Sequence, residues 1–224
     1  MSMLGKLRPQ QQPPPRAPEP PRPAPGASLR HSNGLKDFLW LIPERPQGRI
    51  LDLGPVAQAT VSFFTDRNFR VSTEDLVRSW VEFRDERERN AAGADPAEHP
   101  DPAALAADFL KLSLRFDPET FHGILAWDAF DFLESELLHP LAARLHQLLA
   151  PGGVLLAAFH DAATIGPSHY RVRDGETLEL VPSRRPPPVR RVFQNREILA
   201  LFGDFRSSRT FVGRDHLREA LFLK

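Results

Sequence analysis

The sequence contains no cysteine, a single tyrosine and no net charge, with 29 basic residues against 29 acidic ones. Without cysteine there are no disulfides, no thiolate metal ligands and no thiol nucleophile, a composition that suits a reducing compartment. Zero net charge leaves no global field to gather nucleic acid or an anionic membrane, so neither partner is expected. No apolar run approaches the roughly 20 residues of a membrane span. The first residues carry no apolar signal core, so the expected location is cytoplasmic. The eight histidines are scattered, without ligand spacing, and no metal site is expected. A phosphate-binding Gly-x-x-x-x-Gly-Lys loop and a Gly-x-Ser-x-Gly elbow are also missing.

Proline is abundant but unevenly spread. Nine of the 23 prolines fall between Pro9 and Pro25. Proline fixes φ and removes a donor, so residues 1–30 are expected to form a disordered, extended arm before one domain over 31–224. Within that domain, apolar residues alternate between strand and helix periods. Leu35, Phe38, Leu39, Leu41 and Ile42 fit a short helix ended by Pro43. Arg49–Gly54 and Phe69–Thr73 read as strands, with helices over about 57–66 and 74–89. Asn90–Pro102 reads as a loop, and Ala103–Leu110 as a short helix. Gly123–Trp127 is a strand. Leu137, Leu138, Leu141, Leu145, Leu148 and Leu149 stripe a helix that Pro151-Gly152-Gly153 is expected to stop, before a buried strand over Val154–Phe159.

Past Phe159 the pattern changes. Residues 168–192 read as an insertion: a hairpin over Tyr170–Val181 turning at Asp174-Gly175, then a basic, proline-rich loop. Asn195 is the expected N-cap of a helix to Phe202, and Arg209–Val212 and Glu219–Leu223 read as closing strands. Alternating strands and helices predict an α/β, Rossmann-like, doubly wound and mostly parallel sheet with antiparallel C-terminal strands.

Three segments carry chemistry. In Ile50-Leu-Asp52-Leu-Gly54-Pro55 a buried strand ends on a glycine, which permits a tight turn against a ligand. Glu74 stands twenty residues later at the tip of the next strand, where an acid can accept from ribose hydroxyls. Phe121-His-Gly-Ile-Leu-Ala-Trp-Asp128 precedes the leucine-striped helix and Leu149-Ala-Pro-Gly-Gly-Val154. His160 and Asp161 follow the next strand at the sheet's ligand-binding edge, as candidates for a base or a substrate contact.

In this order and spacing the segments resemble the class I S-adenosylmethionine (SAM)-dependent methyltransferases of the broad small-molecule type, over about residues 35–159. The resemblance implies SAM as cofactor and a small-molecule acceptor. It also implies residue roles: Gly54 and Pro55 against the methionine end with Asp52 orienting it, and Glu74 on the ribose. Asp108 with Phe109 would stand at the adenine, and Trp127 and Asp128 would line the site. Methylation of cytosine C5, which needs a cysteine, is not expected. Two features depart from the family: Val56 and Gln58 stand where further glycines are usual, and His122 replaces an aspartate. They keep open a non-catalytic member of the fold, acting as an interaction or regulatory protein. A nicotinamide oxidoreductase is disfavoured by the missing Gly-x-Gly-x-x-Gly.

Overall fold

The computed structural model describes residues 25–42, 47–90, 101–162, 168–183, 191–213 and 215–224. The chain opens with strand β1 (Ser28–His31) and helix α1 (Asn33–Leu41), then β2 (Arg49–Asp52), α2 (Gln58–Thr65) and β3 (Arg70–Thr73). Helices α3 (Leu76–Asn90) and α4 (Pro102–Leu112) lead to β4 (Phe121–Trp127), a 3-10 turn (Ala129–Phe132), α5 (Ser135–Leu148) and β5 (Leu149–His160). The hairpin β6 (Ser168–Val172) and β7 (Thr177–Pro182) follows, then α6 (Asn195–Leu201), β8 (Ser207–Val212) and β9 (Leu217–Leu223).

The larger sheet has six strands in the order β3-β2-β4-β5-β9-β8. β3, β2, β4 and β5 pair in parallel, and β9 is antiparallel to both β5 and β8. This is the doubly wound α/β architecture expected from the alternation. Period two sends side chains to opposite faces. Leu51, Ile124, Leu155, Ala157 and Phe159 pack with α3 to α6 on one face. Ile50, Leu125, Val154, Leu156 and Ala158 pack with α1, α2 and the hairpin on the other. Both faces of β5 are covered, which is why Val154–Phe159 is continuously apolar. No helix among the described residues is long and apolar enough to cross a membrane.

Several expectations need correction. Residues 28–30 lie in β1, inside the stretch assigned to the arm, while residues 1–24 lie outside the described residues. β1 joins β7 and β6 in a separate three-stranded sheet. Pro151-Gly152-Gly153 does not stop α5, whose end is closed by the Leu149 N–H on the Leu145 carbonyl. The motif instead forms a bulge at the start of β5, where Phe121 faces Leu149 but Gly123 already faces Val154. Gly152 takes φ +76° there, a conformation open to glycine. The N-cap of α6 is Gln194, whose N–H donates to Glu197 Oε2 at 2.7 Å. Asn195 accepts from Arg218 Nη1 at 2.7 Å instead. The hairpin turns at Asp174-Gly175 as expected; residues 184–190 of the basic loop lie outside the described residues.

The two sheets are pinned together by Glu219 of β9, which is 3% exposed. It accepts from Ser32 Oγ and from the Gly34 N–H at 3.1 Å, and stands 3.6 Å from the buried Arg30 guanidinium. Removing Glu219 strips the Ser32 hydroxyl and the Gly34 N–H of their buried acceptor and Arg30 of one of its two carboxylates, together about 3 kcal/mol. Glu219→Ala is expected to lower the thermal midpoint by that equivalent. Asp215→Ala, losing a half-exposed partner of the same arginine, should cost clearly less.

Candidate functional site

In the sheet order, β2 sends the chain outward to β3 on one side, then β4 returns on the other. The order therefore reverses between β2 and β4. Loops leaving the two strands part there, so a crevice opens outside their carboxyl ends. A cavity of about 820 Å³ occupies this place. Leu53, Gly54 and Pro55 form one rim, Ala126, Trp127, Asp128 and Ala129 another, and Ser168 and His169 of β6 a third. Asp75, Val77, Arg78, Val81 and Glu82, at and after the start of α3, complete the wall. Helix period explains that wall: Leu76 and Trp80 turn to the core, and Val77 and Val81, one step on, turn to the cavity.

Asp52 ends β2 and is 1% exposed. Its Oδ1 accepts from the Gly54 N–H at 3.0 Å and from Trp127 Nε1 at 2.7 Å. Burial pushes its carboxyl up to about 6, against the pull of those two hydrogen bonds. The Trp127 ring stacks on Tyr170, with centroids 4.9 Å apart and planes within 5°. Trp127 holds φ +49°, a left-handed conformation that costs a non-glycine residue about 1–2 kcal/mol. A Cβ on Gly54 would stand 2.8 Å from Trp127 Cδ1, so this turn needs glycine because the indole lies on it.

Asp128 begins a second group. Its Oδ2 accepts from Tyr170 Oη at 3.2 Å and from the Ser168 N–H at 3.3 Å, and lies 3.9 Å from His160 Nε2. Burial pushes Asp128 up to about 7; His160 pulls the other way and the Asp131 charge adds to the rise. Asp131 Oδ2 receives both the His160 backbone N–H at 2.7 Å and Nδ1 at 2.9 Å. Nδ1–H is thus spent on Asp131, and Nε2 is left facing Asp128. Burial opposes charging His160, but the hydrogen bond to Asp131 and the charges of Asp128 and Asp131 outweigh it and raise the imidazole.

Of the residues singled out from sequence, Gly54, Pro55, Trp127 and Asp128 line the cavity, and Asp52 and His160 stand directly behind it. The others are not brought there. Glu74 turns aside, accepting from the Leu114 N–H at 3.2 Å, and Asp75 takes its place in the wall. Asp108 lies on α4 with its carboxylate on Lys111 at 2.9 Å. Phe109 is core, its ring 5.1 Å from Trp80 and 5.5 Å from Phe83. Asp161 is exposed and bonded to His216 at 2.9 Å. His122 bonds the Arg49 N–H at the amino ends of the strands, remote from the cavity. Arg173 and Arg171 face the buried Glu179 at 3.2 and 3.8 Å, and Arg191 pairs with Glu197 at 2.8 Å, so each of these three arginines has a carboxylate beside it. Sequence reasoning missed Asp75, the two valines and Asp131. Among the described residues no group of acids and histidines is placed to hold a metal ion.

No family model matches the chain, and no curated protein matches it in sequence. Solved structures do resemble it. The 1,6-didemethyltoxoflavin-N1-methyltransferase of Burkholderia thailandensis, with S-adenosylhomocysteine bound, is 18% identical with TM-score 0.45, covering 86% of this chain and 79% of that one. A SAM-dependent methyltransferase from Aquifex aeolicus is 10% identical with TM-score 0.43, over 84% and 88%. The glycopeptide N-methyltransferase MtfA, complexed with SAM, is 14% identical with TM-score 0.41, over 85% and 94%.

Asp108→Ala is expected to leave ligand binding in the cavity unchanged within about twofold, because its carboxylate is exposed and spent on Lys111. Phe109→Ala should instead destabilise the fold by about 3 kcal/mol. Calorimetric titration and thermal denaturation of the two variants check both.

Proposed function

We propose that this protein transfers a methyl group from SAM to a small acceptor. The observation that carries the reading is the cavity at the strand-order reversal, with a glycine turn on one rim and acids around it. Its residues fit such a cofactor. Asp75 would accept from the ribose hydroxyls, as Glu74 was expected to. Val77, Val81 and Ala126 would form an apolar wall for the adenine, and the Leu53–Pro55 turn lets the backbone come close. When bound, the cofactor supplies an activated methyl carbon on a cationic sulfur. The protein's task is then alignment and exclusion of water, which needs no nucleophile of its own. If the acceptor sheds a proton, Asp128 is the wall carboxylate able to take it, with His160 and Asp131 behind it as positioning groups. The acidic lining favours a small acceptor over nucleic acid, whose phosphates it would repel.

Binding of SAM by the purified protein tests this reading. We expect micromolar affinity, falling at least about tenfold in Val81→Trp, where an indole fills the cavity. Absence of binding at millimolar ligand, with the protein folded, would refute it. One observation favours a second reading, a non-catalytic member of the fold: the Trp127 indole is seated on Gly54 and narrows the space at the turn. That reading predicts a folded, stable protein that ignores SAM.

A further inference from the structure

Asp52 is buried at the carboxyl end of β2, bonded to Trp127, and Asp128 and Asp131 are buried near each other after β4. Among the described residues, the buried basic side chain in contact with them is His160, 2.9 Å from Asp131 and 3.9 Å from Asp128. Asp52 Oδ2 and Asp131 Oδ1 are buried with no hydrogen-bond partner among the described residues. On the cavity side Asp75 and Glu82 add two carboxylates, and Arg78 offsets Glu82 at 2.9 Å. The local balance is negative. Buried carboxylate is tolerated only where a proton or a cation balances it.

We propose that this acid cluster makes the cavity a cation site, which takes a sulfonium methyl donor in preference to the neutral thioether left when the methyl group has gone. The inference deepens the methyl-transfer reading and rests on it. The two ligands share their adenosyl and amino-acid groups and differ by one methyl group and the charge on sulfur, and of these the charge is what responds to carboxylate ionisation. A unit charge a few ångströms from an ionised carboxylate inside a protein is worth about tenfold to a hundredfold in affinity.

The same cluster ties that preference to pH. Burial pushes Asp52 up to about 6 and Asp128 up to about 7, and drives Asp131 in the same direction. The other groups facing the cluster are few. Tyr170 of β6 stays protonated, because burial holds its hydroxyl well above the ordinary range. Arg218 of β9 acts on Asp131, and the exposed Asp161 acts on His160. Arg30 acts on Tyr170. Asp75 acts on Asp52, and His169 completes the wall. A cation favours ionised carboxylates, so its binding expels a proton in this window and tightens as pH rises through it. A neutral thioether does neither.

Calorimetric titration of the full chain with SAM and with S-adenosylhomocysteine tests the proposal, in buffers of unlike ionisation heat. Between about pH 5.5 and pH 8 the affinity ratio of SAM to S-adenosylhomocysteine is expected to rise at least about tenfold. Near pH 6.5, SAM should release up to about one proton and S-adenosylhomocysteine none. Asp128→Asn should remove most of the rise in that ratio; the wild-type comparison decides even without the variant. If both ligands bind and the ratio is flat, the cation site is wrong and the methyl-transfer reading stands. If neither binds to folded protein at either pH, the methyl-transfer reading falls and this inference with it.

Discussion

Asp52→Asn is expected to make the protein more stable at about pH 8, and to do so while weakening its hold on SAM. The folded state raises the Asp52 carboxyl from 3.8 to about 6 through burial. A group raised in this way stabilises the fold fully below its unfolded value, and that contribution is lost as pH climbs through the folded value. Two units correspond to about 3 kcal/mol at pH 8. Asparagine does not titrate. Its oxygen can still accept from the Gly54 N–H and Trp127 Nε1, the bonds Asp52 Oδ1 makes. Its amide would occupy the place of Oδ2, which has no partner among the described residues, and an unmatched buried donor costs about 1 kcal/mol. The net gain is about 2 kcal/mol, or roughly 4–8 °C for a domain of this size. At about pH 4 the difference should vanish or change sign. Thermal denaturation of both proteins across this range reads the effect. A difference that does not change with pH would mean that Asp52 carries no burden in the folded state.

Gly54→Ala should be the most damaging single methyl group in the cavity rim. The new Cβ would meet Trp127 Cδ1 at 2.8 Å and Nε1 at 3.1 Å. The indole cannot retreat freely, since Asp52 holds its N–H and Tyr170 covers its face. Shifting it sacrifices the buried hydrogen bond and part of the stack, about 2–3 kcal/mol together. Binding of SAM should fall at least about tenfold, because the turn and the tryptophan both line the cavity. The cause can be isolated. In a Trp127→Ala background the added methyl meets no indole, so its cost to stability should shrink below about 0.5 kcal/mol. Denaturant melts of the four proteins in this cycle give the coupling. A full cost retained in the double variant would show that the glycine is needed by the turn itself.

The strands that build the site were legible because each carries its own signal. β2, β4 and β5 are short apolar runs bounded by turn residues, and both faces of each run are buried. The positions at their carboxyl ends followed: Asp52, Gly54, Trp127, Asp128 and His160 all stand at or beside the cavity. What sequence could not settle was the direction of single side chains one residue beyond a strand. Glu74 and Asp75 are adjacent acids after β3, and the chain's turn into α3 sends one to Leu114 and the other to the cavity. Asp108 and Phe109 were misplaced for a related reason. They sit inside α4, where the helical period turns Phe109 to the core and leaves Asp108 at the surface. Asp131 was open to notice, as an acid three residues after Asp128. Its contact with His160 joins residues 29 apart in sequence, and no local pattern announces such a pairing. β1 was missed because Ser28–His31 is short and polar, and its partner β7 lies some 150 residues onward.

The placement of β9 has a consequence for the order in which this molecule assembles. It follows β8 in the chain, yet it lies between β5 and β8 in the sheet. Until it inserts, the edge of β5 is open along its whole length. Glu219, which fastens β1 and α1, arrives on the same strand. Tyr170 and Ser168, which close the cavity over Asp128, belong to the small sheet that β1 completes. The site therefore depends on pairings between the two ends of the domain, and loop closure over such separations is slow. On a ribosome, β2, β3 and β4 can pair early, but the cavity waits for the last strand. A nascent chain stalled before residue 217 would present an unpaired β5, an apolar edge of the kind that chaperones bind.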